Sequence, residues 1–326
     1  MQAPRFSIVI TCYRQREFIR AAVDSALSQN NRSMETIVVD DGSDDGSAEL
    51  LDSYAASLQL VKMPDNRGAI AARNLGASLA KGQYLVFLDG DDVLMPWALD
   101  VYARLIEERQ PGYILARTWW FANGPVPALK STDVPGEVEF VQYESVLHKD
   151  RPAGLSASAF VIERAAFEAV GGWTPGIFHL DLQDIMTKLS CVGPVILILA
   201  PCTVFYRVHP GNSIHAVPPF LSKLHLLLAK ERAGEYPGGD GLRFRRRAWL
   251  GGLVLFWLKR SLSAGLFRDA LKLAATGWPM VLAWLFTRSA ALIRGRRPIA
   301  RLSLQLPGLP DLVDMAGAGR FPGERG

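Results

Sequence analysis

The clearest indication of the fold is the segment Tyr84-Leu-Val-Phe-Leu88, followed directly by Asp89-Gly90-Asp91-Asp92. A short run of apolar, β-forming residues is typical of a strand that is buried on both faces. Three carboxylates in four positions then stand at its carboxyl end, where they repel one another unless a cation lies among them. The alternative interpretation is a solvated acidic turn in which Asp92 caps the next helix.

The same pattern, a buried strand that ends in polar residues, occurs upstream. Apolar runs predict strands over 6–11, 35–40 and 58–63, and apolar residues at helical spacing predict helices over 16–28 and 68–80. Strands that alternate with helices in this way predict an α/β fold with a mostly parallel, doubly wound sheet. In such sheets ligands bind beyond the carboxyl ends of the strands, which here carry the residues Thr11, Asp40, Asp41, Asp89 and Asp91.

Weaker patterns follow residue 96. They predict helices over 97–108 and 181–192, strands over 113–121, 157–162, 195–199 and 203–208, and a loop over 122–136. These elements complete a predicted catalytic domain over 1–218.

Composition sets the limits of the function. Hydrophobic residues make up 49% and charged residues 21% of the 326 residues, which excludes a disordered chain. The three cysteines have no zinc spacing and are too few for a disulfide framework, so we expect a reducing compartment. No basic segment precedes an apolar stretch at the start, so no secretory signal is expected. Nothing in the sequence points to a nucleic acid.

The last third of the chain differs in charge and hydropathy. Residues 1–219 carry 18 Lys and Arg against 25 Asp and Glu, a net −7, whereas residues 220–326 carry 18 against 7, a net +11. Charge-free stretches over 248–258 and 273–287 are shorter than the roughly 18 residues that span a bilayer. Basic clusters beside them predict a helical, amphipathic region over 219–326 that binds an anionic membrane surface, with a flexible tail after about 305. The alternative is a helical subdomain with a solvated basic face.

Several residues near the strand ends suit a nucleotide and its metal. Asp41 can accept the imide N–H of a uracil-type base, Tyr13 offers an aromatic face, and Arg73 can pair with base or phosphate oxygens. Each has a simpler interpretation: an Asx-type turn, loop packing and a surface arginine respectively. The carboxylates after 88 are hard oxygen ligands, which select Mg²⁺ or Mn²⁺.

Four blocks of sequence, taken together, closely resemble the family 2 inverting glycosyltransferases: Ser7-Ile-Val-Ile-Thr-Cys-Tyr13, Ile37-Val-Val-Asp-Asp-Gly-Ser43, Asp65-Asn-Arg-Gly68 with Ala72-Arg-Asn-Leu-Gly76, and Phe87-Leu-Asp-Gly-Asp-Asp92. Their order and spacing match over about residues 5–100, with weaker similarity to about 215. The resemblance implies a GT-A fold, a nucleotide-diphosphate sugar donor, with a UDP-sugar favoured, and Mg²⁺ or Mn²⁺. It also implies donor contacts from Thr11, Tyr13, Asp41, Arg73, Asp89 and Gly90, and metal ligation by Asp91, with Asp89 and His209 as further candidates.

An inverting transfer needs a general base to take the proton of the attacking hydroxyl. In the family it belongs to a Glu-Asp pair that opens a helix after a Gly-Gly-aromatic turn. This chain has Gly171-Gly-Trp173, but its helix opens Leu180-Asp-Leu-Gln-Asp184. Helical spacing predicts a buried face of Leu182, Ile185, Met186 and Leu189, and a second face of Asp181, Asp184 and Lys188. The candidate bases are therefore Asp181 and Asp184. Asp181 is favoured because the helix start should face the cleft, and its alternative role is an N-cap.

Two histidines, His209 and His215, follow the last predicted strand. In related enzymes such a histidine completes the metal shell or contacts the diphosphate; the alternative is an ordinary loop histidine. The hypothesis is a cytoplasmic transferase, peripheral on the inner face of the plasma membrane, that moves a sugar to a glycan or lipid-linked acceptor in cell-surface polysaccharide biosynthesis. Two alternatives stay open: a non-catalytic nucleotide-sugar-binding protein and a sugar nucleotidyltransferase. The absence of glycine between residues 13 and 17 counts against the second.

Overall fold

The computed structural model describes residues 4–30, 33–127, 129, 136–147, 156–212, 217–294 and 301–306. Its strands are β1 (Phe6–Cys12), β2 (Met34–Asp40), β3 (Gln59–Lys62), β4 (Tyr84–Asp89), β5 (Val93–Leu94), β6 (Tyr113–Leu115), β7 (Thr118–Ala122), β8 (Gly136–Tyr143), β9 (Phe160–Glu163), β10 (Val195–Ala200), β11 (Val204–Val208) and β12 (Leu302–Leu306). Its helices are α1 (Ile19–Leu27), α2 (Ser47–Asp52), α3 (Ala69–Leu79), α4 (Ala98–Arg109), α5 (Arg164–Ala169), α6 (Asp181–Lys188), α7 (Val217–Ala233), α8 (Gly239–Ser263) and α9 (Phe267–Arg294).

The main sheet has nine strands in the order β12-β8-β10-β6-β9-β4-β1-β2-β3. Strands β3, β2, β1 and β4 run parallel, and β1 pairs with both neighbours from Phe6 onward, opposite Met34 and Tyr84. Their carboxyl ends therefore meet at one edge, as the polar strand ends predicted. The α/β fold class is confirmed.

The other half of the sheet is mixed. Strand β9 runs antiparallel between β4 and β6, and β8 and β12 add an antiparallel edge. The single strand predicted over 113–121 is two strands, because the chain leaves the main sheet after Leu115 and Thr118 begins a second sheet. Strands β5, β8 and β12 and helices α2 and α5 were not predicted. All but β8 have six residues or fewer, whereas β8 alternates polar and apolar residues from Glu137 to Phe140.

A second sheet of three strands, β5-β11-β7, covers the carboxyl edge. Strand β11 pairs antiparallel with β5, joining Val204 to Leu94 and Phe205 to Val93. This pairing carries the end of β11 to the turn that follows β4. His209 is thereby brought next to Asp91, although 118 residues separate them.

Apolar side chains cover both faces of the main sheet. One face packs against α1 and α4, with Ile19, Val23, Leu99 and Tyr102 buried. The other face packs against α3 and α6, and its apolar cluster continues into the C-terminal helices through the buried residues Leu224, Leu227, Leu250 and Leu273. The C-terminal helices are thus packed against the rest of the protein on this face.

Helices α7 and α8 are joined by a buried ion pair. Arg246 Nε lies 2.8 Å from Glu231 Oε2, and both side chains are almost fully enclosed. Away from this ion pair, helices α7, α8 and α9 expose large apolar residues: Leu226, Phe244, Phe256, Leu262, Phe267, Leu271, Trp278, Leu282, Leu285 and Phe286. Of the large apolar side chains exposed in the described residues, only Tyr13 and Phe178 lie elsewhere.

Helix α9 extends beyond the charge-free stretch 273–287 at both ends. It also continues without a break through Gly277 and Pro279. Its segment Phe267–Ser289 is, by length and composition alone, long and apolar enough to cross a membrane, and 28% of the apolar window is buried. Residues 302–306 form the edge strand β12, and the rest of the predicted tail, 307–326, lies outside the described residues.

Candidate active site

A cleft of about 580 Å³ opens at the carboxyl edge of the main sheet. It collects most of the residues that the sequence singled out: Thr11, Tyr13, Asp41, Arg73, Asp89, Asp91 and Asp181. Gly90, Asp184 and His209 are not among its lining residues. Chain segments up to 170 residues apart thus meet in one place, which the strand-end argument anticipated for the first half of the chain only.

Arg73 on α3 is the centre of the charge arrangement. Its Nη1 lies 2.7 Å from Asp181 Oδ2 and its Nη2 lies 2.7 Å from Asp89 Oδ1. Its guanidinium also stands 5.3 Å from the ring centroid of Trp173. Burial lowers the pKa of Arg73, but the charges of Asp89 and then Asp181 outweigh it and raise the pKa above its usual value. Arg73 is 3% exposed, so the alternative of a surface arginine is wrong.

Asp41 connects the loop after β2 to the loop before α3 at the edge of the cleft. Its Oδ1 and Oδ2 accept the backbone N–H groups of Arg67 and Gly68, both at 2.7 Å. The Asx-type turn belongs instead to Asp40, whose Oδ2 accepts from the Ser43 N–H at 3.1 Å. Asp41 therefore holds the start of α3 in place at the cleft.

Tyr13 remains available on the surface of the rim. It is 39% exposed, and the Arg14 guanidinium lies 5.4 Å from its ring centroid. Among large aromatic side chains at the strand ends it is the one most accessible to a ligand, and it lines the cleft.

Asp91 and His209 form a pair suited to a divalent cation. Asp91 Oδ2 and His209 Nε2 lie 2.9 Å apart. Adjacent ligands of an octahedral ion with bonds of about 2.1 Å lie about 3 Å apart, so this spacing fits Mg²⁺ or Mn²⁺. Burial, and then the charge of Asp89, raise the pKa of Asp91, so a cation there would offset a real electrostatic cost.

Few protein side chains are available to ligate a metal ion in the cleft. Within the described part of the chain, no three His, Cys, Asp or Glu side chains cluster as a metal site. Asp89, the third predicted ligand, is already paired with Arg73. The Gly211 N–H donates to His209 Nδ1 at 3.2 Å, which leaves Nε2 facing Asp91. Two protein ligands fit an ion that takes its remaining oxygens from water and a diphosphate.

Asp92 and Gly90 shape the turn rather than the ligand surface. Buried Asp92 accepts from the Ser158 hydroxyl at 2.6 Å and the Arg207 N–H at 3.0 Å, so its alternative role as a helix cap is wrong. Burial, followed by the charges of Asp91 and Asp89, raises the pKa of Asp92 well above its usual value. At Gly90 an added Cβ would lie 2.9 Å from the Thr11 carbonyl oxygen, so no side chain fits there.

The two candidate bases on helix α6 have different surroundings. Asp181 lies at its start and lines the cleft, and Leu180 rather than Asp181 occupies the N-cap position. Asp184 is 1% exposed, and its Oδ1 accepts from Tyr236 Oη at 2.7 Å and Lys230 Nζ at 3.4 Å.

The predicted division of α6 into an apolar and a polar face is therefore wrong. Ile185, Met186 and Leu189 are buried as expected, but Leu182 lines the cleft, and Lys188 is buried with Asp184. Burial of Lys188 is made possible by the carbonyl of Gly172, to which its Nζ donates. Polar partners from distant segments, which helical spacing cannot reveal, allow both charged residues to turn inward.

The cleft also contains residues that the sequence did not single out: Gln15, Asn66, Trp120, Ser156, Phe178, His179, Tyr206, Asn212 and Phe220. Gln15 Oε1 and His179 Nδ1 are buried and lack a hydrogen-bond partner within the described residues. His179 could have been noticed two residues before Asp181, whereas Ser156 and Phe220 follow no recognisable pattern. His215 lies outside the described residues.

A mostly parallel sheet with a cleft at its carboxyl edge defines the class of α/β proteins that bind ligands beyond their strand ends. The model of the family described as "Glycosyl transferase family 2" matches residues 7–170, and the chain belongs to this family. The Escherichia coli UDP-Glc:alpha-D-GlcNAc-diphosphoundecaprenol beta-1,3-glucosyltransferase WfaP is 39% identical over 210 residues, which cover 63% of this chain and 78% of that protein. Other curated glycosyltransferases match over less of their length, and the chain spans 61%, 39% and 37% of three of them.

Solved structures confirm the GT-A fold that the resemblance implied. Residues 1–349 of Staphylococcus aureus TarS in complex with UDP-GlcNAc match with a TM-score of 0.61 at 17% identity, over 79% of this chain and 73% of that one. The mannosyltransferase PcManGT from Pyrobaculum calidifontis, in complex with GDP-Man and Mn²⁺, matches with a TM-score of 0.51 at 16% identity, over 90% and 81% of the two chains.

Proposed function

We propose that this protein transfers one sugar, with inversion, from a nucleotide-diphosphate sugar to a glycan or lipid-linked acceptor in cell-surface polysaccharide biosynthesis. The observation that carries the proposal is the meeting of Arg73, Asp89, Asp91 and Asp181 in one cleft, with His209 2.9 Å from Asp91. The names of WfaP, a UDP-glucose-dependent transferase, and of the TarS complex with UDP-GlcNAc favour a UDP-sugar donor.

The donor side consists of the strand ends. Thr11, Tyr13 and Asp41 surround the nucleobase and ribose, with Tyr13 stacking on the base and Asp41 holding the rim beneath it. Asp89, fixed by Arg73, faces the ribose. Asp91 and His209 would hold a Mg²⁺ or Mn²⁺ ion, which supplies positive charge to the diphosphate as it leaves.

The acceptor side contains the general base, which we assign to Asp181. Arg73 binds Oδ2 of this carboxylate and leaves Oδ1, which accepts no hydrogen bond from the described residues. Oδ1 is then the atom that takes the proton of the acceptor hydroxyl as it attacks the anomeric carbon. Asp184 is enclosed by Tyr236 and Lys230 and cannot reach that proton without a rearrangement of α6.

The same proposal places the protein on the inner face of the plasma membrane as a peripheral protein. Ten exposed large apolar residues lie on α7, α8 and α9, and the region from 220 onward has a net charge of +11. Apolar side chains beside an excess of Lys and Arg suit the surface of an anionic membrane.

A panel of nucleotide sugars, scored by thermal stabilisation with and without Mn²⁺, tests the donor and the metal together. We expect a UDP-sugar to stabilise the wild-type protein only when Mn²⁺ is present. Asp91→Asn should lose this stabilisation, because it removes a ligand, and should raise the stability of the metal-free protein, because it removes a buried charge whose pKa is raised. The matched control is Asp52→Asn, an exposed carboxylate paired with Lys62. Unchanged stabilisation in Asp91→Asn would refute the metal assignment.

A further inference from the structure

Aromatic rings connect the cleft to the outer surface of α8. Ring centroids lie 4.7 Å apart between Phe178 and His179, 4.9 Å between His179 and Phe220, 4.6 Å between Phe220 and Trp257, and 5.4 Å between Trp257 and Phe256. We call these five residues the aromatic row. Its first three members line the cleft, and its last, Phe256, is 55% exposed.

The aromatic row begins on the acceptor side of the cleft. His179 stands two residues before Asp181, and its backbone has φ +82°, a left-handed conformation that is costly for a residue with a side chain. Leu182 lines the same wall. A sugar hydroxyl alone does not need apolar side chains beside the base. This wall therefore suits an acceptor that also has an apolar part.

The rings are held in place from beneath. Trp257 is buried and stacks on Phe220 with an angle of 25° between the ring planes, so that α8 fixes the ring that α7 presents to the cleft. Phe178 is one of only two large apolar side chains outside α7–α9 that are exposed in the described residues. The wall is therefore preformed and accessible rather than a closed core.

Positive charge flanks the aromatic row on both helices. The guanidinium of Arg260 lies 5.8 Å from the ring centroid of Trp257. Lys223 follows Phe220 by three residues on α7, so the two side chains lie on the same face of that helix. An apolar wall between two cations complements a molecule that has both an apolar chain and an anionic group.

We propose that the aromatic row binds the lipid chain of an acceptor whose sugar is joined to that lipid through phosphate, with Lys223 and Arg260 beside the phosphate. The inference rests on the proposed function and assigns its acceptor to one chemical class. It also assigns acceptor specificity to Phe178 and Phe220, which touch the lipid and not the donor.

Farnesyl phosphate, used below its micellar concentration, is the probe that tests this. We expect saturable binding by the wild-type protein, followed by tryptophan fluorescence, and binding about tenfold weaker for Phe220→Ala, because a lost aromatic contact costs about 1.4 kcal/mol. Phe178→Ala should show a loss of similar size. Because Phe178 is exposed, this second variant does not endanger the fold.

Matched probes and variants separate the sources of binding. Farnesol lacks the phosphate and inorganic phosphate lacks the chain, so each should bind more weakly than farnesyl phosphate. Phe244→Ala removes an exposed aromatic ring of α8 outside the aromatic row and should bind the probe like the wild-type protein. Equal binding by Phe220→Ala, Phe178→Ala and the wild-type protein would overturn the proposal, as would an equal loss in Phe244→Ala.

Donor stabilisation is measured on the same variants. Phe220→Ala and Phe178→Ala should keep the Mn²⁺-dependent stabilisation by the donor. If the wild-type protein shows no donor stabilisation, the proposed function fails regardless of the lipid result. If donor stabilisation is intact and the aromatic row does not bind the probe, only the present inference fails.

Discussion

The strand-end rim of the cleft and the C-terminal helices α7–α9 distribute polar and apolar groups in opposite ways. At the rim, the charges of Asp89, Asp91 and Asp181 face the cleft, and the apolar residues of the strands are enclosed. In the helices, Glu231 and Arg246 are enclosed, and large apolar residues face outward. One protein therefore presents two surfaces, one lined with carboxylates and the other with apolar side chains.

Net charge follows the same division. Under the proposed function, we expect the negative front part to recruit a cation that helps to hold the diphosphate, and the positive C-terminal part to approach an anionic surface unaided. Donor and acceptor are therefore expected to approach from different sides of the cleft. Three substitutions test two points: that the two regions have different roles, and that they unfold as one unit.

The largest effect is expected from Asp181→Asn. An amide cannot accept the proton of the acceptor hydroxyl, so the transfer rate should fall about 10²- to 10⁴-fold. Transfer of labelled sugar from the donor to the acceptors of a membrane extract measures it, and donor binding should persist. Asp184→Asn is the matched control, since an amide oxygen can still accept from Tyr236, and its rate should stay within a few-fold of the wild-type rate. The reverse order of the two variants would show Asp184 to be the base.

A smaller effect, on stability, is expected from Glu231→Gln. It leaves the guanidinium of Arg246 enclosed without its countercharge, which costs about 3–5 kcal/mol. Urea unfolding measures it, with Glu235→Gln, an exposed carboxylate of the same region, expected to stay within about 0.5 kcal/mol.

The number of unfolding transitions shows whether the sheet and the helices α7–α9 unfold together. The apolar cluster runs from the sheet into α7–α9, so the loss of stability should appear in a single transition that also abolishes donor binding. A separate early transition that leaves donor binding intact would show that the helices fold on their own.

The smallest effect on the fold is expected from Trp278→Glu. Trp278 is 58% exposed, so stability should change by less than about 0.5 kcal/mol. Cosedimentation with anionic vesicles should fall about tenfold, since a buried aromatic side chain contributes about 1.5–3 kcal/mol to binding. Trp278→Phe, which keeps an apolar ring, should retain most of the binding. Vesicle binding that is unaffected by the glutamate would rule out this face as the membrane contact.

The sequence predicted the strand-end rim well, because its information is local. A buried strand that ends in carboxylates, repeated in β1, β2 and β4, is visible without any distant partner, and the parallel sheet then brings those ends together. Boundaries agreed to within a residue or two for these strands and for α3. The roles assigned to the cleft residues stay predictions until the donor experiments are done.

The acceptor side could not be predicted in the same way, because its residues are brought together by segments far apart in the chain. The burial of Asp184 depends on Tyr236 and Lys230, about fifty residues later, and Phe220 of the cleft belongs to α7, the helix that carries Lys230. Helical spacing shows which residues share a face, but not which partner covers it. For the same reason the antiparallel insertion of β9 was not foreseen.

Helix α7 has one further consequence, which concerns hybrids between members of the family. Its Phe220 lines the cleft, and its Lys230 donates to Asp184 on α6, the helix that also carries Asp181. A hybrid with its junction near residue 218 would combine α6 of one parent with α7 of the other. The buried carboxylate of Asp184 would then lose its own Lys230 partner. A junction before Gly171 keeps α6 to α9 of one parent together. Under the proposed function, we therefore expect a segment exchanged to change the acceptor to start at that glycine turn, directly after residues 7–170 that match the family model, and to extend through the C-terminal helices.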